Sequence, residues 1–174
     1  MTFKPSRAFA EILLAAVAFF VSAATLGVYL YQARMMRAQQ HASVWPYLEA
    51  YFSKVDDYRI AVRNKGVGPA IVRKVEMSLD GKPLPDNAAL VAAVLGKEAD
   101  LAYQNASLEG RVLAPGEEVV LFRIPDLKAA LAFQAQQHKH QFGLKITYAS
   151  VYGDCWVSDG AKVQALPPVD LHLF

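Results

Sequence analysis

Three groups of side chains in this chain have residue types that could do chemistry. His138-Lys139-His140 places two imidazoles at i and i+2. In an extended segment they share one face and could hold a metal together with a carboxylate. No third ligand lies nearby in sequence, and glutamines surround the pair, so a solvated polar helix end is the favoured reading; His41 and His172 are distant and isolated. Cys155, between Asp154 and Trp156, is the only cysteine. A nucleophilic thiolate needs a base or cation beside it, and a cysteine opening a β-strand is more often a small buried apolar residue. Gly66-x-Gly68-Pro69 resembles a phosphate loop superficially, yet a Walker loop ends in Gly-Lys-Ser/Thr before a helix and a dinucleotide fingerprint needs a third glycine. Here proline and a β-branched run follow. The better reading is a tight turn using backbone conformations that glycine permits. No Gly-x-Ser-x-Gly elbow supports Ser/His/Asp hydrolysis. No catalytic residue, metal site or cofactor is therefore expected.

The bulk numbers narrow the partners. The chain has 174 residues, 54% of them hydrophobic and 20% charged, with a net charge of +2 from 18 basic and 16 acidic side chains. The composition argues against wholesale disorder, and the charge balance gives no basis for predicting nucleic-acid binding, which normally needs a basic stripe or patch. A single cysteine excludes an intrachain disulfide.

Much of the apolar excess sits in Ile12–Tyr31, twenty residues without a charge. As a helix this run spans about 30 Å, the thickness of a bilayer's hydrocarbon core. Ser22, Thr25 and Gly27 are its only interruptions, all tolerated in membrane helices. Tyr29, Tyr31, Arg34 and Arg37 close it with the aromatics and snorkelling cations that a membrane–water interface favours. Two other readings compete. A cleaved signal peptide would use Lys4 and Arg7 as its charged region and Val21-Ser22-Ala23 as its cleavage motif, but the apolar run continues eight residues beyond Ala23. A buried core helix would show a polar stripe. The expected order is a short tail over 1–9, a transmembrane helix over 10–31, a helical stalk over 32–43 and a domain over 44–174. Trp45-Pro46 ends the stalk, since the residue before proline is pushed out of the α region. The positive-inside count is nearly tied; a short tail and a bulky C-terminal domain put the tail in the cytoplasm and the domain outside it. Ala16, Ala23, Ala24 and Gly27 offer a small-residue face, and the oligomeric state stays open.

Beyond Pro46 the period changes to two. Tyr47–Phe52 and Tyr58–Val62 alternate as half-buried strands of a hairpin joined by polar residues 54–57. In the second, Tyr58, Ile60 and Val62 face one way and Arg59, Ala61 and Arg63 the other. Asn64, Gly66, Gly68 and Pro69 form the densest turn signal in the chain. Ala70–Leu79 follows as a strand with Ile71, Val75, Met77 and Leu79 inward, ended by Asp80-Gly81. Within residues 86–99, Ala88–Leu95 reads as a short alanine-rich helix inserted between strands, with Asp86-Asn87 at its cap and Gly96 at its stop. Ser107–Leu113 and Glu118–Ile124 flank a type II turn at Ala114-Pro115-Gly116. Pro125-Asp126 opens a second helix through about Gln137. Phe142–Val151 and Cys155–Ala165 form a last hairpin, and Pro167-Pro168 reads equally as an extended tail crossing the domain surface or as a partner-docking segment. About seven strands with two helical insertions predict a mainly β fold, an antiparallel immunoglobulin-like β-sandwich by architecture, with a partly open barrel as the alternative.

The run Asn64-Lys65-Gly66-Val67-Gly68-Pro69-Ala70 after Trp45-Pro46-Tyr47-Leu48, with Asp80-Gly81 and the later Tyr152-Gly153-Asp154-Cys155-Trp156, resembles uncharacterised bacterial proteins anchored in the membrane by one N-terminal helix. The resemblance implies a bacterial envelope protein of unassigned activity and supplies no catalytic residues; with the anchor and orientation read above, the expected place is the inner membrane, with the domain periplasmic or extracellular. The expected function is a non-enzymatic envelope module, a sandwich anchored in the lipid bilayer by the helix and held near the membrane, that binds another protein or stabilises a membrane complex. The alternative is a ligand sensor or divergent hydrolase using a cleft between the sandwich and its helical insertions.

Overall fold

The structure is a computed structural model describing residues 7–53, 57–96, 100–160 and 162–167. The chain divides into two compact units, with the boundary between Ala42 and Ser43.

The first unit is one helix, α1 (Arg7–Ser43), 37 residues without a break. It is long and apolar enough to cross a membrane, and none of its residues is buried. Its interior hydroxyls turn back on the helix: Ser22 Oγ donates to the Ala18 carbonyl at 2.8 Å and Thr25 Oγ1 to that of Val21 at 2.7 Å. Such back-bonding satisfies both side chains without water. The residues expected to form the stalk continue the same helix, and the chain leaves it just before Trp45-Pro46.

The second unit is largely β. Its elements are β1 (Leu48–Ser53), β2 (Tyr58–Asn64), β3 (Ala70–Leu79), β4 (Lys82–Leu84), α2 (Asn87–Leu95), β5 (Gln104–Asn105), β6 (Val112–Leu113), β7 (Glu118–Ile124), α3 (Leu127–Gln137), β8 (Phe142–Ala149), β9 (Cys155–Ser158) and β10 (Val163–Ala165). All their pairings are antiparallel, and they build two sheets. One runs β1-β2-β7-β5; the other runs β10-β9-β8-β3-β4, with β6 also on β3.

Both sheets feed one core. Tyr58, Ile60 and Val62 of β2 and Phe122 and Ile124 of β7 meet Leu144, Ile146 and Tyr148 of β8 in a single buried cluster. The helices seal it through residues at helical spacing. Leu90, Val91 and Val94 form the inner face of α2, and Ala130 and Phe133 that of α3. Each helix is capped by an aspartate. Asp86 Oδ1 accepts from Ala89 N–H and Asp126 Oδ1 from Ala129 N–H, both at 2.7 Å. The Phe133 ring centroid lies 5.0 Å from that of Tyr58 and 5.6 Å from that of Phe122.

Several strand expectations need correction. The described residues form ten short strands. Ser107–Leu113 shrinks to Val112–Leu113 because Leu108–Arg111 closes a turn through Gly110, whose φ is +77°. Cys155–Ala165 splits in two at Asp159-Gly160, where Gly160 has φ +78°. Val151 leaves its strand because Ser150 N–H turns to the Asp154 carbonyl at 2.8 Å. Ala61 is buried on the face expected to be solvated, at a register shift between β2 and β7.

In β3 the register shifts between Val72 and Lys74, and this bulge reverses the inward parity. Ala70 and Val72 are therefore buried before it and Ile71 is not, whereas Val75, Met77 and Leu79 face the core after it, as expected. Residues 54–56 of the expected polar connection, the end of the 86–99 segment, most of the N-terminal tail and Pro168 lie outside the described residues. Asp57, at the close of that connection, is buried and pairs with Arg59 and Arg123.

The core carries a pH dependence. Burial pushes the Tyr58 and Tyr148 hydroxyls up to about 12; a hydrogen bond from Leu48 N–H opposes this at Tyr148. Unfolded tyrosine titrates near 10. The folded values are the raised ones, so the stabilisation is intact below about pH 10 and is lost as pH rises through about 12, about 2–3 kcal/mol per tyrosine. Urea unfolding at about pH 9 and pH 11.5 is expected to show this loss. Tyr148→Phe is expected to remove about half of it.

Candidate functional site

The turn motif is densely hydrogen-bonded, and its bonds are internal. Asn64 is completely buried at the end of β2. Its Oδ1 accepts from Tyr47 N–H at 3.2 Å and Gly66 N–H at 2.9 Å, and its Nδ2 donates to the Gly68 carbonyl at 2.8 Å and the Leu113 carbonyl at 3.1 Å. One side chain thus ties the segment after α1, its own turn and β6 on the other sheet. The amides that a phosphate would need are all committed. Lys65 N–H goes to Tyr47, and Val67 and Gly68 N–H both go to the Trp45 carbonyl.

Gly66 and Gly68 do not use left-handed backbone, so the expected conformational reason is replaced by a steric one. A Cβ at Gly66 would overlap the backbone of Trp45 and Tyr47, and one at Gly68 the backbone of Val44. Pro69, half-buried, leads into β3. Asn64, Gly66, Gly68 and Pro69 are brought together as a clamp rather than a binding loop. Tyr29, Tyr31, Arg34 and Arg37 lie exposed along α1.

The other chemistry-bearing residues separate. His138 caps α3 and is exposed, its Nε2 3.5 Å from Gln134 Nε2. His140 turns away to Asp80, Nδ1 to Oδ2 at 2.6 Å. That hydrogen bond, followed by one from Gln141 N–H, holds the Asp80 carboxyl below the usual carboxylate range. The pair pins the β3–β4 turn, in which Asp80 and Gly81 both have positive φ. Cys155 is half-buried, with Sγ 3.4 Å from the Gly153 carbonyl. Among the described residues no group of three His, Cys, Asp or Glu side chains could hold a metal ion.

The site that sequence reading missed lies along β3. Asp80 N–H bonds to Gln141 beside β8, so even-numbered residues after the bulge direct their main chain toward β8. Odd-numbered ones face the opposite edge. Pro83, which has no N–H, accordingly sits opposite Ser78 and not opposite Met77. On that edge β4 stops at Leu84, opposite Met77. From the other end, Gly110 and Arg111 reach only as far as Val72, through bonds of 3.1 and 2.8 Å. Val75 therefore turns its N–H and C=O into a gap with no strand opposite among the described residues.

The gap opens on a groove of about 230 Å³. Val75, Met77, Leu108 and Leu121 supply its apolar walls, and Asn87, Asn105 and Ser107 its polar ones. Its only charged lining residues among those described are Asp86 and Glu109. Asn87, 8% exposed, donates through Nδ2 to the Leu121 carbonyl at 3.1 Å, while its Oδ1 is buried without a partner. A signal for Asn87 existed. It stands three, four and seven residues before Leu90, Val91 and Val94 and therefore on the inner face of α2. Reading Asp86-Asn87 only as a cap hid it.

The fold defines a class: a chain with one long apolar N-terminal helix and a domain of two antiparallel sheets around a common core. The chain belongs to the family described as a domain of unknown function, DUF8453, whose profile matches residues 7–162 and so takes in the helix and every strand of both sheets except β10. No curated protein and no solved structure matches the chain.

Proposed function

We propose that this protein is a single-pass, membrane-anchored, non-enzymatic module of the bacterial envelope that binds another protein or stabilises a membrane complex. In this reading α1 crosses the inner membrane, the domain is periplasmic or extracellular, and the two sheets form an immunoglobulin-like sandwich. The observation that carries it is α1, an uncharged run of twenty residues whose hydroxyls are satisfied within the helix and whose side chains are all exposed. Exposed apolar surface of that extent in water is unfavourable; lipid covers it.

The test is extraction. The full chain is expected to stay with membranes in alkaline carbonate and to leave them only in detergent, and release by carbonate alone overturns the anchor. Ala24→Arg, which puts a charge mid-span at a cost of about 3 kcal/mol, is expected to reduce the inserted fraction measured by the same extraction. A reporter fused after Phe174 is expected to be active only outside the cytoplasm; activity inside reverses the orientation.

The second reading is a ligand sensor or hydrolase with a cleft beside the sheets, and the groove next to α2 is the observation that favours it. Its volume of about 230 Å³ falls below the ~300 Å³ at which small-molecule sites usually begin. Its hydroxyl, amides and carboxylates suit holding a chain more than activating a nucleophile.

A further inference from the structure

We propose that the gap in the β3 edge is a docking slot for a short extended peptide segment of a partner protein, one carrying an apolar residue next to a basic one. This deepens the protein-binding reading above and rests on it. Three observations select that occupant. First, Val75 offers a main-chain donor and acceptor to the groove at a place where the sheet edge has no strand among the described residues. An extended chain presents the complementary pair, the principle by which peptides add to sheet edges.

Second, Asn87 Oδ1 is an acceptor buried in the groove wall without a partner. Leaving such a group unsatisfied is costly, so a shift of the Asn87 side chain that brings this oxygen to a peptide donor gains more there than at a solvated acceptor. Third, the lining combines apolar residues with two carboxylates, Asp86 and Glu109, its only charged members among the described residues, although Lys74 lies close enough to feel the charge of Glu109. An apolar side chain flanked by lysine or arginine matches both. The small volume admits a residue or two, so the partner contributes a segment of a longer chain and not a whole ligand.

The test uses the full chain in a non-ionic detergent and a capped, fluorescein-labelled hexapeptide alternating leucine and lysine, read by fluorescence anisotropy. Saturable binding is expected. It should weaken about tenfold or more, equivalent to about 1.4 kcal/mol, when alternate amides of the probe are N-methylated. A similar loss is expected for Ser107→Trp, which fills the groove from an exposed position, and for Glu109→Lys on the rim; thermal melting of both variants should match the parent. A probe with glutamate in place of lysine is expected to bind less tightly.

Equal affinity for the N-methylated probe overturns the proposal, as does unaltered binding by both variants. No binding up to about 1 mM does the same. Crosslinking in native membranes separates this failure from that of the broader reading. A partner retained by Ser107→Trp means the domain binds elsewhere and the slot is wrong. No partner for the unaltered chain removes the protein-binding reading as well.

Discussion

Gly68→Ala is expected to lower the stability of the domain by about 3–5 kcal/mol, among the largest effects of a single substitution. The added methyl would fall on the backbone of Val44, which cannot swing aside as a long side chain can. Relief requires the 44–47 segment to lift from the turn, breaking the bonds that Val67 and Gly68 N–H donate to Trp45. Thermal unfolding of the full chain, followed by tryptophan fluorescence, is expected to shift down by about 10–20 °C. Val67→Ala, an exposed change between the two glycines, is the control and should fall within about 0.5 kcal/mol of the parent. If the two alanine variants melt together, the close approach at Gly68 is not what holds this corner.

Asn64→Ala comes next, at about 3–5 kcal/mol. Its loss strands two N–H groups, on Tyr47 and Gly66, and two carbonyls, on Gly68 and Leu113, in a buried place. Asn64→Asp separates shape from chemistry. It keeps the acceptor but replaces the donor by a charged oxygen facing two carbonyls, so it is expected to be no better than alanine despite being nearly isosteric. Chemical unfolding at neutral pH measures both. An aspartate variant as stable as the parent would mean that the donor side of Asn64 is unimportant.

These two residues show what sequence can and cannot reveal. The Asn64–Pro69 turn was legible because glycine and proline punctuate a chain locally. Its purpose was not, because the partners of the Asn64 side chain stand 17 and 49 residues away, at Tyr47 and Leu113. The helices were legible for the same local reason: Asp86 and Asp126 cap them as their positions suggest. β3 and β7 matched their expected limits residue for residue.

The parity of β3 failed at Ile71 because one extra residue at a bulge turns every later side chain over, and nothing in Val72-Arg73-Lys74 announces it. β4, β5 and β6 are two or three residues long, too short for any period to declare itself. The groove was illegible in a deeper sense. It exists because β4 stops at Leu84 and the turn before β6 reaches only Val72, a vacancy defined by where two distant segments end.

The pairing of the strands also sets an order of events. β2 waits for β7, more than fifty residues downstream, and β3 for β8, more than sixty downstream. Each sheet is laced from distant parts of the chain, so the first cannot close on a ribosome that has not yet released Ile124, nor the second on one that has not yet released Ala149. α1 is complete by Ser43. Synthesis therefore delivers the apolar helix long before there is a domain to fold, and the unpaired strand edges must stay apart in the interval. Long-range pairing of this kind folds slowly and is open to aggregation while it waits. A chain truncated anywhere before β8 should accumulate as an unfolded or degraded product, whatever the state of its helix.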